Sequence, residues 1–337
     1  MNVYKFTIIA LCVVNIKATA QQSINELLAA GVSDTQRFAD SYIAPASEGL
    51  IYGISNGWFN NAKSPRRFGF EISLIGNVNF VDDNKRSFKM IESDYENIRF
   101  EDGSSSKNVA TVFGNSENQK VVLTYADPVF GNQEIEVLLP GGIGSSESSI
   151  VPTAFLQVGF SPLKGTQVKA RFIPKLNFND ASLSAFGVGI QQDLLSWLPT
   201  RKVLPVAASG VIAYTNLKSK YDFTATEIVE GNNQQMTLNA NSMLYQLILG
   251  TKLKIINFYG ALGYVSGTTK TKLLGTYKIV SGAVSSNEVI DPVSIEHKIS
   301  GMRTTLGANL KLAFFGINAD YTFADYNSIS FGINFGF

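Results

Sequence analysis

The stretch from Ser328 to Phe337 alternates without an error: Ile329, Phe331, Ile333, Phe335 and Phe337 form one set, and Ser328, Ser330, Gly332, Asn334 and Gly336 the other. Successive side chains of a strand point to opposite faces, so a period of two predicts a strand with one apolar and one small or polar face. The pattern recurs along the chain. Phe68, Phe70, Ile72, Leu74, Gly76, Val78 and Phe80 make a row backed by Gly69, Glu71, Ser73, Ile75, Asn77 and Asn79. Further rows run from Ala154 to Phe160, Val168 to Phe178, Val206 to Tyr214, Met243 to Leu253, Thr304 to Phe314 and Ile317 to Phe323.

A soluble sandwich alternates too, but its wet face usually carries many Lys and Glu. Here only 16% of residues are charged, against roughly 25% in an average soluble domain. The second faces are built from Gly, Asn, Ser, Gln and Thr, while the apolar faces draw on 23 phenylalanines. That is the pattern of a membrane barrel, with lipid outside, a polar lumen inside and aromatics at the interfaces. Within hydrocarbon every backbone amide must be paired, which strands achieve only by closing the sheet. The expected fold is therefore an all-β transmembrane antiparallel barrel of about 10–14 strands.

Charge and composition narrow the function classes. The 28 basic and 27 acidic residues leave no electrostatic footprint for nucleic acid. One cysteine and one histidine exclude a disulfide and a His/Cys zinc site, so no metal and no cofactor is expected. At the start, a basic Met1 to Lys5, an apolar Phe6 to Ile16 and the small-residue run Lys17-Ala18-Thr19-Ala20 read as a signal peptide cleaved after Ala20. The expected division is a signal peptide at 1–20, an N-terminal helical plug or cap at 21–63, and an outer-membrane barrel at 64–337.

Connection lengths sort the two ends of such a barrel, short turns inside and longer loops outside. Phe315-Gly316, Lys254 to Asn257, Pro162 to Gly165 and the stretch Gln191 to Lys202 read as inner connections, the last either placing Trp197 as an interfacial anchor or serving as an ordinary capped connector. Asp325 to Asn327, Ser285 to Pro292, Glu227 to Asn233 and Asn179 to Ala181 read as outer ones. The region from about 82 to 151 is one long extracellular loop with its own hairpins, or it adds barrel strands. It contains strand-like pieces at Val109 to Phe113, Lys120 to Tyr125 and Glu134 to Leu139, and a flexible Gly141 to Ser149.

Ahead of the first row, Ser23 to Glu26 opens a helical stretch, Ser33-Asp34-Thr35 looks like a cap before Gln36 to Tyr42, and Pro45 ends the helix. Such a lead either plugs the barrel mouth or caps its inner turns. The order of features resembles the fatty-acid-transporter superfamily of outer-membrane barrels, in which a hatch precedes the barrel. More closely, Ala30-Gly31-Val32, Tyr42-Ile43-Ala44-Pro45 and Gly49 to Lys63 resemble the start of a Bacteroidota outer-membrane barrel family without an assigned activity. The superfamily's Asn-Pro-Ala motif is absent here, with Asn61-Ala62 in its place. The resemblance implies a plugged barrel in the outer membrane of a Gram-negative bacterium.

Enzymatic chemistry is not expected. His297 is the only candidate base, no pattern marks a partner serine, and it reads as a solvated strand histidine. Asp82-Asp83 reads as an acidic turn. By strand parity Lys169, Arg171, Lys175, Arg303 and Lys311 point inward against Glu71 and Asp320, a modestly positive lumen. These charges either brace the lumen through ion pairs with one another and the N-terminal plug, the favoured reading, or form a site or path for an anionic or amphipathic solute. The expected partners are outer-membrane lipid, a small hydrophobic ligand, and the barrel-assembly machinery reading Phe331, Ile333, Phe335 and Phe337. Two functions follow: a transporter or channel for a small hydrophobic or amphipathic molecule, or a docking barrel that binds a protein through its long outer loop.

Overall fold

The computed structural model describes residues 27–63, 66–115, 119–127, 130–144, 150–178, 180–196, 205–222, 229–281, 284–285 and 288–336. The expected signal peptide at 1–20, the helical opening at 23–26, Asn179, Trp197 and Phe337 lie outside these residues. Helix α1 spans Val32–Ile54, preceded by a single 3-10 turn at Leu28–Ala30.

The strands follow in chain order. First comes β1 (Phe70–Phe80), then five short strands: β2 (Ser87–Ile91), β3 (Ile98–Phe100), β4 (Ser106–Ala110), β5 (Lys120–Asp127) and β6 (Gly131–Leu138). Long strands β7 (Ile150–Leu163), β8 (Thr166–Phe178), β9 (Ala181–Asp193) and β10 (Val206–Asp222) come next. After β11 (Val229–Glu230) come β12 (Gln235–Thr251) and β13 (Ile256–Leu274). The small strands β14 (Thr276–Ser281), β15 (Val284–Ser285) and β16 (Val289–Ile290) precede β17 (Val293–Leu312), β18 (Phe315–Phe323) and β19 (Ser328–Gly336).

Ten of these strands close into one barrel in the order β1-β19-β18-β17-β13-β12-β10-β9-β8-β7. Closure is carried by β1, which pairs antiparallel with β7 on one side and with the last strand, β19, on the other. The rows seen in the sequence divide between the two faces. In β13, Phe258, Leu262 and Tyr264 stand outward and exposed, whereas Tyr259, Ala261 and Val265 are buried inside. On β19, Phe331, Ile333 and Phe335 stand outward, and Ser328, Ser330 and Asn334 turn in. The wall thus presents an apolar outer belt, with Leu262, Met302 and Phe331 each more than half exposed. An apolar belt this continuous is a surface made for hydrocarbon rather than water. Among the described residues no helix is long and apolar enough to cross a membrane.

One barrel end carries tight hairpins: Leu163 pairs with Thr166, and Leu312 with Phe315. The last turn is therefore Ala313-Phe314, one pair ahead of the expected Phe315-Gly316. The other end carries a head. None of the described residues between 81 and 144 enters the wall; β2 pairs with β4, and β3, β5 and β6 form a second small sheet. The wall accordingly stays at ten strands. The start of the Gly-rich piece, expected to be flexible, is pinned by Ile143 N–H to Val112 O (2.8 Å) and Gly144 N–H to Gly114 O (2.9 Å). Gly142 sits there at φ +81° with backbone where a Cβ would go, so only glycine fits.

Pro45 does not end the helix, contrary to expectation. Proline removes one helical N–H and disturbs the carbonyls of the preceding turn. Here groups from outside the helix take up carbonyls on both sides: Val112 N–H donates to Tyr42 O (3.0 Å), and the Tyr326 hydroxyl to Pro45 O (2.7 Å).

Barrel closure in this register predicts that the double variant Leu74→Cys, Ile333→Cys forms an intramolecular disulfide on mild oxidation, because these residues are directly paired across β1 and β19. The control pair Leu74→Cys, Ile329→Cys, displaced along the strand by about 13 Å, stays reduced. Gel mobility with and without reductant reads both; equal cross-linking of the two pairs would contradict the closure.

Candidate functional site

The lumen is occupied by the chain's own N-terminal segment. Gly31, at φ +101°, breaks the path between the 3-10 turn and α1. Asp34 and Thr35, expected as caps, act otherwise. The Asp34 carboxylate accepts N–H bonds from Glu96 (3.1 Å) and Asn97 (2.7 Å) in the head, and the Thr35 hydroxyl donates to Leu27 O (2.7 Å). The helix thus begins under the head. Further along, Lys85 pairs with Glu48, Asp40 stands 3.2 Å from His297 on β17, and the Tyr52 hydroxyl donates to Asp325 (3.0 Å). Phe38, Tyr42, Ile51 and Ile54 are fully buried among these groups. Below Ile54 the chain runs on through the lumen towards the short-turn end, where Asn60 donates to Glu71 (3.1 Å) on β1 and to Asn334 (3.0 Å) on β19.

Three buried cations hold this descending piece. Arg171 on β8 donates to Ile54 O (3.1 Å) and to Gln157 (3.1 Å), with its guanidinium carbon 3.7 Å from the centre of the Trp58 ring and 4.5 Å from that of Phe155. Lys169 on the same strand donates to Trp58 O (2.7 Å) and Gln191 (2.8 Å). Arg303 on β17, five places round the wall from β8, donates to the Asn56 side chain and to Thr322 (3.3 Å). Two arginines from opposite walls thus grip the turn where α1 ends. A buried cation is costly without partners. Arg171 finds them in the carbonyl end of the helix, which carries about half a negative charge, and in two ring faces. Asp320 complements Arg303 nearby and accepts the Tyr259 hydroxyl (3.0 Å).

A second concave feature lies in the head. A groove of about 580 Å³ opens between β2–β4 and β3–β5, with the Tyr95–Asn97 segment among its lining residues. Tyr95 is pushed up to about 12 by burial, opposed by Arg37 and reinforced by Asp34 and Asp94, so its phenol stays protonated at neutral pH.

A family model matches residues 1–337. The chain belongs to DUF6588, a family of unknown function. Among curated proteins no sequence match is found. Among solved structures the chain is similar to the outer membrane protein OprG from Pseudomonas aeruginosa, at 10% identity over 82% of this chain and 99% of that one, with a TM-score of 0.33. It is similar to the outer membrane protease OmpT from Escherichia coli at 7% identity, covering 80% and 96%, with a TM-score of 0.30. The translocator domain of the autotransporter NalP from Neisseria meningitidis gives 10%, 92% and 99%, and 0.28. Likeness at this level carries no argument about activity.

Of the seven charged residues expected in the lumen, the structure buries Lys169, Arg171, Arg303 and Asp320 and half-buries Glu71. Lys175 and Lys311 are exposed, which is a correction. At Lys175 the pairing of β8 with β9 shifts between Ile173 and Leu176, an extra residue that breaks the parity. Lys311 lies one residue from the end of β17, at the rim. The charge inside is therefore three basic against two acidic groups rather than five against two. His297 is also not solvated; its side chain is 16% exposed and faces Asp40. Sequence reasoning missed Asn56, Trp58 and Gln191 as lumen contacts. The signal available was a tryptophan in a Gly/Asn-rich segment that lacks any strand period.

Trp58→Ala removes the ring beneath Arg171 and is expected to loosen the plug by about 3–5 kcal/mol, as for other buried Trp truncations. Hydrogen exchange followed by mass spectrometry should show faster exchange over residues 53–60, with β12 and β13 unaffected. Unchanged exchange over 53–60 would show that the ring does not hold the segment.

Proposed function

We propose that this protein is an outer-membrane barrel, exported by a cleaved signal peptide and closed at rest by its own N-terminal segment, that passes a small amphipathic or anionic solute when that segment shifts. The carrying observation is the wall behind the plug. It is lined by hydroxyl, amide and charged side chains, and Thr215 Oγ1, Gln246 Oε1, Thr269 Oγ1 and Arg303 Nη1 are buried there without a protein partner. A permanent core pairs its polar atoms or dispenses with them. A wall that must tolerate water when its plug moves keeps them. The excess of Lys169, Arg171 and Arg303 over Asp320 and Glu71 favours a carboxylate-bearing solute. The same reading assigns the outer belt to lipid, the strand ending in Phe331, Ile333 and Phe335 to recognition by the barrel-assembly machinery, and no enzymatic role. Kinship with a Bacteroidota family and with the fatty-acid-transporter superfamily belongs to this proposal, supported by the order of plug before barrel.

A second reading, a docking barrel, is favoured by the folded head with its own two sheets. Planar-bilayer recording separates the two. The full chain should be nearly closed, a variant lacking residues 27–63 should conduct strongly, and the full-length double variant Arg171→Gln, Arg303→Gln should open more often than the parent. Equal and negligible current from all three, each verified as folded by heat-modifiable migration, would reject transport and leave docking.

A further inference from the structure

The head groove has the chemistry of a binding site, and it is distinct from the lumen. Its size falls within the range of about 300–1,000 Å³ typical of small-molecule sites. Its charges nearly balance: Lys89 and Arg99 stand against Glu92 and Glu96, and with Arg99 held by Glu134 at 2.6 Å a single acidic charge is left over. An anionic ligand would therefore be repelled, and a cationic one would meet only one excess charge in an open, solvent-screened groove. Polar and apolar surface are mixed along the lining, with the polar share the larger, which suits an amphipathic ligand better than a lipid chain. What remains is a concentration of hydroxyls, from Ser93, Ser105, Ser106 and Thr124, together with the Tyr95 ring. Hydroxyls both donate and accept, so they match a ligand whose own groups do the same. A phenol ring offers a face for C–H groups and keeps its proton for hydrogen bonding.

The lining is also held before any ligand arrives. Asp34, 1% exposed, fixes the N–H groups of Glu96 and Asn97. The Asn97 side chain donates to Ala30 O (2.9 Å), and Thr124 N–H donates to Asn97 O (2.9 Å). A segment fixed from both sides loses little entropy when it is occupied.

We propose that this groove is a recognition site for a neutral, hydroxyl-rich ligand of the short-oligosaccharide class. The site stands independently of whether the lumen conducts. It is tested with the full-length protein in detergent, fluorescently labelled and applied to an array of neutral and acidic di- to pentasaccharides. Binding to one or more neutral members is expected. Ser106→Trp, which fills the groove, should weaken that binding by roughly tenfold or more. Asp34→Ala should weaken it too by releasing the Glu96-Asn97 segment. Both variants are checked for heat-modifiable migration, and Ser106→Trp decides the matter if Asp34→Ala fails to fold. No binding anywhere on the array, binding only to acidic members, or binding undiminished in Ser106→Trp would overturn the proposal.

Discussion

Backbone pairing is the constraint from which the rest follows. A sheet with an apolar outer face cannot leave an edge open to hydrocarbon. The pairing of β1 with β19 removes that edge, so the fold depends on contacts between residues far apart in the chain, such as Leu74 and Ile333. Closing the sheet then creates an interior, and the same rule applies to its contents. Polar side chains turned inward by strand parity must meet water or other polar groups. In this protein they meet the N-terminal segment.

That segment suits its surroundings because it changes character along its length. The helical part meets the projecting strand ends and the head with large apolar groups, Phe38, Tyr42 and Ile51 among them. The irregular part that follows meets the deeper wall through main-chain carbonyls and amide side chains, with the rings of Trp58 and Phe59 buried among them. The two regimes join at Ile54, where the helix runs out of internal donors for its last carbonyls. Arg171 supplies one of the missing donors and Arg303 binds Asn56 from the opposite wall. Cations that would be a liability in an empty lumen become attachment points for the plug. Asp34, at the other end of α1, ties the same segment to the head, so that wall, plug and head are linked through a small number of buried polar bonds.

Much of this was legible in the sequence where the physics is local. Period two marked the long strands and the inward parity of Lys169, Arg171 and Arg303, because strand geometry fixes which face a residue takes. It failed at Lys175, where one extra residue in β8 shifts the register, and a bulge leaves no mark in a hydrophobic pattern. Pro45 misled for a related reason: its local cost is real, but Val112 and Tyr326 offset it from elsewhere in the chain. Asp34 sits where a cap belongs, yet its partners are 62 and 63 residues away. His297 reads as exposed until Asp40 is brought against it. The candidate site depends on contacts of this long-range kind. The sequence could mark the cations in the lumen and allow that they brace the plug, but not that main-chain carbonyls, Ile54 O and Trp58 O, rather than acidic side chains would receive them.

The central claim is that the outer belt meets lipid while the plug fills the lumen. Tryptophan fluorescence in bilayers containing acyl-chain-brominated lipid tests both halves at once. In a Trp197→Phe background, Trp58 should be scarcely quenched, and a tryptophan placed at Leu262 or Leu306 should be quenched strongly. Comparable quenching of Trp58 and the belt positions would contradict the account.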